Sequence, residues 1–493
     1  MYKRQAIGCA ALECNTSGAC NVAVGLDALT ANTTAVGNTA VGANSLCSNT
    51  TGFNNTAVGN CSGNDVTTGD CNTYIGAFAA YQATTGNNNT AVGDQALSLM
   101  TTASDNTAVG RSALKVNTTG STNVAVGTNS LTANTTGPAN IAIGCDAMCK
   151  TTTGGENVAI GRSALCSNVS SAGNVGVGYN VLRKNTGANN TAVGAYSLEL
   201  NTTASNNSAL GCGALAANTT ADNNTAVGMR ALCSNTTGTQ NVAIGVEALR
   251  ANTTGSQNTT VGSASMLGNT TGVKNVAVGR CALRCNTTGA HNTAVGLDSL
   301  KAVTAAENNT AIGIRSGIAI TDGIGNTVIG GDAGKNIVAG GGNTILGGFK
   351  PDGVYSPPYD TTGSDNNRIV LGSTTSTNAY IKIDWTVTSD LRDKTEFAEV
   401  PHGLDFVNQL KPVSFKFKKS REDDTSHGPK KYGFKAQDIL TLEGDNPTII
   451  NNDDEENLKI TNSHMTPVLV KAIQELSETN KKLTSRIEEL EKK

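Results

Sequence analysis

The chain has 493 residues and a net charge of −3, and aromatic residues make up only 4% of it although it contains 56 glycines. Soluble single domains rarely exceed about 250–300 residues, so this length predicts several units or a repeat array, whose core must be built from small residues. The first 350 residues carry no basic stripe and the chain has no run of 18 apolar residues, so we expect neither a nucleic acid nor a membrane as partner.

The N-terminal segment, residues 1–5, lacks the apolar stretch of a signal peptide. It runs directly into Ala6-Ile7-Gly8, which is already repeat sequence. We therefore expect that the natural N-terminus is missing or that an anchoring domain lies on another chain.

A block of the form N-(T/V)-A-(V/I)-G-x-x-(A/S)-L-x-x-N-T-T-G-x-x repeats along residues 6–347. Its central glycines mark 21 copies with a spacing of 17 residues, except for 16 between Gly178 and Gly194. A fixed period over so many copies is typical of a solenoid, because one repeat needs its neighbours to bury its apolar face. The sequence therefore predicts a mainly β fold in which residues 1–347 form a parallel β-solenoid, or β-roll, that we call the shaft.

Each part of the block has a structural interpretation. The Ala and β-branched residues before the central glycine predict a short strand, and the glycine permits a sharp corner or a close backbone approach. The Leu four residues after it, as in Leu114, Leu131 and Leu165, is expected to fill the core. The N-T-T-G segment predicts a turn, because Asn tolerates left-handed geometry. Coils about 4.8 Å apart would form ladders of Asn, Thr and Leu over roughly 100 Å.

Thirteen cysteines lie between Cys9 and Cys285, at scattered positions of the repeat and without a C-x-x-C motif. A zinc site needs clustered ligands, so we expect no metal, and no other cofactor is indicated. Cys149 and Cys166 share one position in successive coils, which puts them within disulfide reach. Small buried thiols that replace Ala or Ser are the favoured interpretation of the whole set.

The repeat resembles the head repeats of trimeric autotransporter adhesins, which carry a similar V-A-I-G-x-x-A pattern. Those heads are left-handed parallel β-rolls that trimerise side by side. The resemblance covers residues 6–347 and implies a homotrimer. The period of this chain is longer than is usual in that family, so the resemblance does not predict the geometry of the loops between strands.

Three motifs follow the shaft in a fixed order. Residues 348–384 form a transition, or neck, in which Asn367-Arg368-Ile369-Val370-Leu371-Gly372 predicts one more strand. Residues 385–466 then contain S-D-x-R-x-K at 389–394, Leu-Lys-Pro-Val-x-Phe-x-Phe at 410–417 and Gly-Phe-x-Ala-Gln at 433–437. This string resembles the intramolecular chaperone domain of phage endosialidases, tailspikes and tail fibres. The resemblance implies a small α+β domain that acts once, as a peptidase on its own chain, in proteins that fold as trimers.

The resemblance places the cut before the motif serine, at the Thr388–Ser389 bond. A serine hydroxyl becomes an effective nucleophile when a base takes its proton, and a lysine is such a base where burial lowers its pKa. We therefore predict Ser389 and Lys394 as the catalytic dyad of a single-turnover serine endopeptidase. Asp390 and Arg392 are implied by the resemblance as supporting residues that position the loop.

Two other interpretations of this segment remain. Ser389-Asp390 could simply cap a helix while Lys394 is solvated. His402, His427 or His464 could belong to a triad with a serine, although their spacing matches none of the family's motifs and an exposed histidine is the default.

Residues 467–493 have heptad spacing and predict a coiled-coil helix. One core position is occupied by Leu469, Leu476, Leu483 and Leu490, and the other by Ile473, Asn480 and Ile487. Ile and Asn at the a position with Leu at d are better known from dimers, whereas both resemblances imply a trimer. The heptads leave this conflict open.

These features predict a structural viral protein, expected to be a phage tail fibre or spike that is made in the host cytoplasm and assembled into the virion. Its partners would be two further copies of the chain, an attachment protein of the virion bound at the N-terminus, and a host cell-surface receptor, for which a glycan is one candidate. A bacterial trimeric adhesin is the alternative, which a signal peptide would favour. A glycan-degrading tailspike would need a pair of catalytic carboxylates, and the shaft is poor in acids at repeated positions.

Overall fold

A computed structural model describes residues 4–347, 363–373, 389–418, 423–452 and 458–492, together with a few further positions. The chain divides into two compact units, residues 1–374 and 375–493. In the first unit, 22 short strands form one sheet, and each strand pairs in parallel with the next along the chain. The mainly β, parallel solenoid that the period predicts is therefore confirmed.

Each strand of the sheet is three residues long and supplies one layer of the stack. The strands are β1 (Gln5–Ile7), β2 (Val22–Val24), β3 (Thr39–Val41), β4 (Thr56–Val58), β5 (Thr73–Ile75), β6 (Thr90–Val92), β7 (Thr107–Val109), β8 (Val124–Val126), β9 (Ile141–Ile143), β10 (Val158–Ile160), β11 (Val175–Val177), β12 (Thr191–Val193), β13 (Ser208–Leu210), β14 (Thr225–Val227), β15 (Val242–Ile244), β16 (Thr259–Val261), β17 (Val276–Val278), β18 (Thr293–Val295), β19 (Thr310–Ile312), β20 (Thr327–Ile329), β21 (Thr344–Leu346) and β22 (Ile369–Leu371).

The register of the strands follows the repeat. Ile141 pairs with Val158 across 17 residues, and Val175 pairs with Thr191 in the one shorter coil. That coil lacks one Thr of the N-T-T-G corner, so the missing residue leaves the strand register unchanged. The additional strand predicted in the transition is β22, which pairs with β21 across a longer insertion.

The core of the stack is narrow because small residues fill most of it. The middle residue of most strands is a fully buried Ala, such as Ala142. Leu114, Leu131 and Leu165 are also fully buried, so the predicted apolar column is confirmed. Burial of each Leu contributes roughly 1.5–3 kcal/mol, and stacking repeats this gain in every coil.

Two successive coils exchange the sizes of their core residues. Tyr74 replaces the middle Ala of β5 and is fully buried. Gly63 stands where the preceding coil would carry its core Leu, and a Cβ there would lie 2.8 Å from Cδ2 of Tyr74. The tyrosine ring therefore occupies space that a leucine side chain at position 63 would otherwise take.

Buried asparagines form two ladders along the stack. Asn140, in front of β9, accepts at its Oδ1 a hydrogen bond of 3.1 Å from the backbone N–H of Asn157, and its Nδ2 donates to the Gly154 carbonyl at 2.8 Å. In the second ladder, Asn134 Nδ2 donates to Asn117 Oδ1 at 2.8 Å. Because a buried amide without partners is costly, each ladder favours coils in the correct register.

The N-T-T-G corner differs from its prediction in one respect. Thr118 donates its hydroxyl to the Thr135 carbonyl at 3.0 Å, which confirms the threonine ladder. The Asn of this corner does not use its tolerance of left-handed geometry and is buried in its own ladder. The left-handed residues lie two and four positions after the central glycine of the block, as at Asp146 (φ 56°) and Met148 (φ 49°), and directly before the Asn of the other ladder, as at Ala139 (φ 55°). The Met148 N–H donates to the Ala164 carbonyl at 2.9 Å, so hydrogen bonds between coils offset this strain.

The cysteines also differ from their prediction. All thirteen are free thiols, and Cys281 is the one that is buried. The others are exposed or partly exposed, because the repeat positions that they occupy lie on the outside of the coil. The prediction of small buried thiols is therefore wrong for most of them.

Replacing Gly144 by Ala should destabilise the stack strongly. Gly144 has φ 132°, and an added Cβ would lie 2.7 Å from both the carbonyl carbon and the oxygen of Gly161. Backbone strain and overpacking together should cost about 2–6 kcal/mol. Hydrogen exchange of the amides in β9 and β10 should accelerate accordingly. Gly213→Asn is the matched control, because Gly213 (φ 66°) has space around it. The amides of β13 and β14 should exchange at their usual rates in this control. If exchange near each substituted glycine were equally fast in the two variants, the prediction would be contradicted.

The second unit combines helices with small antiparallel sheets, which confirms the predicted α+β character. Its elements are α1 (Leu404–Gln409), β23 (Val413–Lys418), β24 (Ser426–Gly433), α2 (Ala436–Glu443), β25 (Ile450–Asn451), β26 (Lys459–Ile460) and α3 (Asn462–Glu491). Strand β23 pairs with β24, and β25 pairs with β26. The buried core consists of Phe406, Ile439, Ile449, Ile450, Met465 and Val468. The first turns of α3 thus belong to this core.

Candidate functional site

The S-D-x-R-x-K motif forms a compact turn at the start of the described second unit. A 3-10 helical turn spans Leu391–Asp393, and the Asp390 side chain caps it by accepting a hydrogen bond from the Arg392 N–H at 2.9 Å. The turn folds the chain back on itself, so that Lys394 Nζ donates to Ser389 Oγ at 2.5 Å. The two residues proposed as a dyad are therefore in direct contact.

The Asp390 and Arg392 side chains form an ion pair within this turn. Arg392 donates from Nε to Asp390 Oδ1 at 3.0 Å and from its second terminal nitrogen to Oδ2 at 2.6 Å. Hydrogen bonds from the Arg392 side chain and backbone lower the pKa of Asp390, and the same pair raises the pKa of Arg392. The carboxylate therefore stays ionised and bound to Arg392, and the cap is lost only as the pH falls through the lowered pKa of Asp390.

The turn lies open to solvent in a single copy of the chain. Ser389 and Lys394 are both exposed. The apolar side chains of the same segment are exposed as well, with Leu391 at 70% and Phe397 at 67%. A serine–lysine pair works best in a covered site, because burial disfavours the charged form of the lysine.

Helix α3 holds the segment that follows this turn, residues 400–404, by two hydrogen bonds. Lys471 Nζ donates to the Val400 carbonyl at 2.6 Å, and the Leu404 N–H donates to Glu475 Oε2 at 2.6 Å. The Glu475 carboxylate thereby occupies the N-terminus of α1, where negative charge is favourable. Gly403 permits this approach, since an added Cβ would lie 2.4 Å from the carboxylate oxygens. The sequence analysis did not find these two residues, whose only local signal is the glycine before α1.

The remaining predicted residues of this segment have other surroundings. His402 stacks on Phe406 with ring centroids 4.2 Å apart, and His464 Nδ1 lies 2.6 Å from the Thr448 carbonyl oxygen. These contacts do not connect either histidine to Ser389. The cleavage-site residue Thr388 lies outside the described residues, as does most of the neck.

The heptad positions of α3 form an exposed apolar stripe. Its leucine and isoleucine members are 41–65% exposed. They are Leu469, Ile473, Leu476, Leu483, Ile487 and Leu490. The predicted helix is present, but it begins at Asn462, before the predicted residue 467. These six side chains are not covered by the described residues of one chain. None of the helices in the described residues has both the length and the apolar character to cross a membrane.

Residues 389–442 match the sequence profile of a family described as chaperone of endosialidase. The match begins at Ser389 itself. This family consists of self-cleaving chaperone domains, which supports autoproteolysis in general and points to a phage virion protein. A C-terminal chaperone segment that follows a long solenoid fits a phage tail fibre or spike. No curated protein matches the chain significantly.

Proposed function

We propose that the chain is a homotrimeric virion fibre for host attachment, whose C-terminal unit aligns three chains and is then released by cleavage of the Thr388–Ser389 bond. Ser389 is the nucleophile and Lys394 is its base. The observation that carries this assignment is the 2.5 Å contact between Lys394 Nζ and Ser389 Oγ. Ser389 is also the first residue of the segment that matches the chaperone family.

The position of the nucleophile suggests a specific reaction. Ser389 lies directly after the bond to be cut, so its Oγ can attack the Thr388 carbonyl carbon through a five-membered ring. Neutral Lys394 takes the hydroxyl proton and returns it to the Ser389 nitrogen as the amide C–N bond breaks. An ester then links Thr388 to Ser389 Oγ. Water hydrolyses this ester, which leaves a carboxylate on Thr388 and a free amine on Ser389.

In this proposal, trimerisation buries the Ser389–Lys394 pair, which is exposed in a single chain. Leu391 and Phe397, exposed in one chain, would be buried by neighbouring copies together with the dyad. The α3 stripe supplies a parallel coiled coil that brings the copies together. The shaft carries a second set of exposed apolar side chains on its strands, among them Ile143, Ile160 and Ile244. Lateral packing of three shafts would remove these side chains from water.

The cleavage is tested by the products of purified full-length protein. Mass spectrometry should find one fragment that ends at Thr388 and another that comprises residues 389–493. Hydroxylamine at neutral pH should accelerate fragment release and leave a hydroxamate on Thr388, because it attacks esters far faster than amides. Cleavage at another bond would reject the site. Correct fragments without a hydroxamate would reject the ester route.

A further inference from the structure

Two cysteines of the shaft occupy the same position in successive coils. Cys149 follows the core residue Met148, and Cys166 follows the core residue Leu165. Backbone hydrogen bonds fix the coils on both sides of this pair, from the Met148 N–H to the Ala164 carbonyl at 2.9 Å and from the Lys150 N–H to the Cys166 carbonyl at 3.2 Å. The register therefore holds Cys149 directly over Cys166.

The geometry of the pair suits a covalent bond. Successive layers of a parallel stack lie about 4.8 Å apart, within the range of roughly 4.4–6.8 Å between the Cα atoms of a disulfide. The Cys149 side chain is turned toward its partner, with Sγ 3.7 Å from the Cys166 carbonyl oxygen. Both residues are partly exposed, so a small reagent can reach them.

The surroundings give the two thiols different roles. A hydrogen bond from the Cys149 thiol, together with the Lys150 and Arg183 cations, outweighs burial and Asp146 and lowers the pKa of Cys166 to about 7. The same hydrogen bond raises the pKa of Cys149. Cys166 is thus the thiol that ionises first, and Cys149 is the one that stays protonated beside it.

We infer that Cys149 and Cys166 form a disulfide that joins two coils of the shaft when the protein meets a small-molecule disulfide such as oxidised glutathione. The Cys166 thiolate attacks one glutathione sulfur and expels a glutathione thiolate, which leaves a mixed disulfide. Cys149 then loses its proton to solvent and attacks Cys166 Sγ, which expels the second glutathione. Overall, two protein thiols and one oxidised glutathione become one protein disulfide and two reduced glutathiones.

The bond would fasten β9 to β10 in their native register. Two other pairs provide comparisons within the same shaft. Cys47 and Cys61 are close enough for Cys61 to contribute to the raised pKa of Cys47, and Cys212 acts in the same way on Cys233. The members of these pairs stand at different positions of the repeat. Stacking therefore does not align them, and they are expected to remain unlinked.

The inference is tested on the full-length protein under native conditions. After incubation with oxidised glutathione, free thiols are blocked with iodoacetamide and the tryptic peptides are analysed by mass spectrometry. The peptide 116–150 should be joined to 163–183 with the loss of two hydrogens, in most molecules. The variant Cys145→Ser should keep the link, because it removes the other cysteine of peptide 116–150. Cys166→Ser should abolish it.

The result in the unmodified protein decides the matter even where a variant misfolds. Separate glutathione adducts on Cys149 and Cys166 would overturn the inference. So would a link that joins different copies of the chain, which a non-reducing denaturing gel reveals as a covalent dimer. If Cys212 and Cys233 formed a disulfide to the same extent, alignment at one repeat position would not determine which cysteines are linked. That result would overturn the inference as well. The readout is independent of cleavage at Ser389.

Discussion

Full-length protein with Ser389→Ala is expected to remain one uncleaved chain. Removal of the hydroxyl eliminates the atom that Lys394 Nζ contacts at 2.5 Å, and loss of a nucleophile typically lowers such rates by at least about 10³-fold. Lys394→Arg should also prevent cleavage, by about 10²–10⁴-fold, because an arginine keeps the positive charge but cannot take the proton. The measurement is the time course of fragment 389–493 on a denaturing gel.

The control makes the same change at a serine outside the turn. Ser414 is exposed on β23, so Ser414→Ala should cleave at the rate of the unmodified protein. Circular dichroism of all variants should show the same helix content, which separates loss of chemistry from loss of fold. Continued cleavage of the Thr388–Ser389 bond in Ser389→Ala would assign the nucleophile to another residue.

The repeat made most of the shaft predictable. Because Leu114 and Leu131 stand at one position of a strict period, a single assumption about stacking places every such residue in one column. The same assumption predicts the strand register. The assumption does not predict the backbone geometry within a coil. Met148 has a positive φ although methionine does not favour that conformation, because the path of the chain between two corners imposes it. The exchange between Gly63 and Tyr74 is visible only when the two coils are superimposed.

The candidate site was predictable where it is local. Ser389 and Lys394 are close in sequence, and one short turn brings them together. The contacts that Lys471 and Glu475 make with residues 400–404 span 71 positions, so no sequence spacing announces them. The exposure of the dyad also could not be read from the motif, because motifs specify the residues in contact and not what covers them.

A chain that ends at Thr388 is expected to aggregate or to remain monomeric. It lacks the whole α3 stripe, so nothing raises the effective concentration of its copies, and the yield of trimer should fall by about 10²-fold or more. Size-exclusion chromatography with light scattering measures this yield. Uncleaved Ser389→Ala protein should assemble normally, which separates the need for the C-terminal unit from the need for cleavage. Assembly of the truncated chain as efficient as that of the parent would reject the chaperone proposal.

The role of α3 in this assembly has its own matched pair of variants. Leu483 is a heptad core residue, and Leu483→Asp places a charge in the proposed coiled-coil seam. Ser485→Asp places the same charge two residues further on, at an outward position of the heptad. The first variant should assemble as poorly as the truncated chain and the second as well as the parent. Equal yields would show that the stripe does not align the chains.

The shaft needs such alignment because its coils are nearly alike. A slip by one coil moves Leu114 onto the place of Leu131 and preserves almost every local contact, so the array itself opposes a register error only weakly. A separate unit that fixes the chain ends removes this ambiguity before the shafts pack. In the proposed trimer, many coils must open together for a chain to leave, and the proposed release of residues 389–493 removes the element that would guide refolding. The mature trimer should therefore resist heat through slow unfolding, and heated and cooled protein that has unfolded should not reassemble.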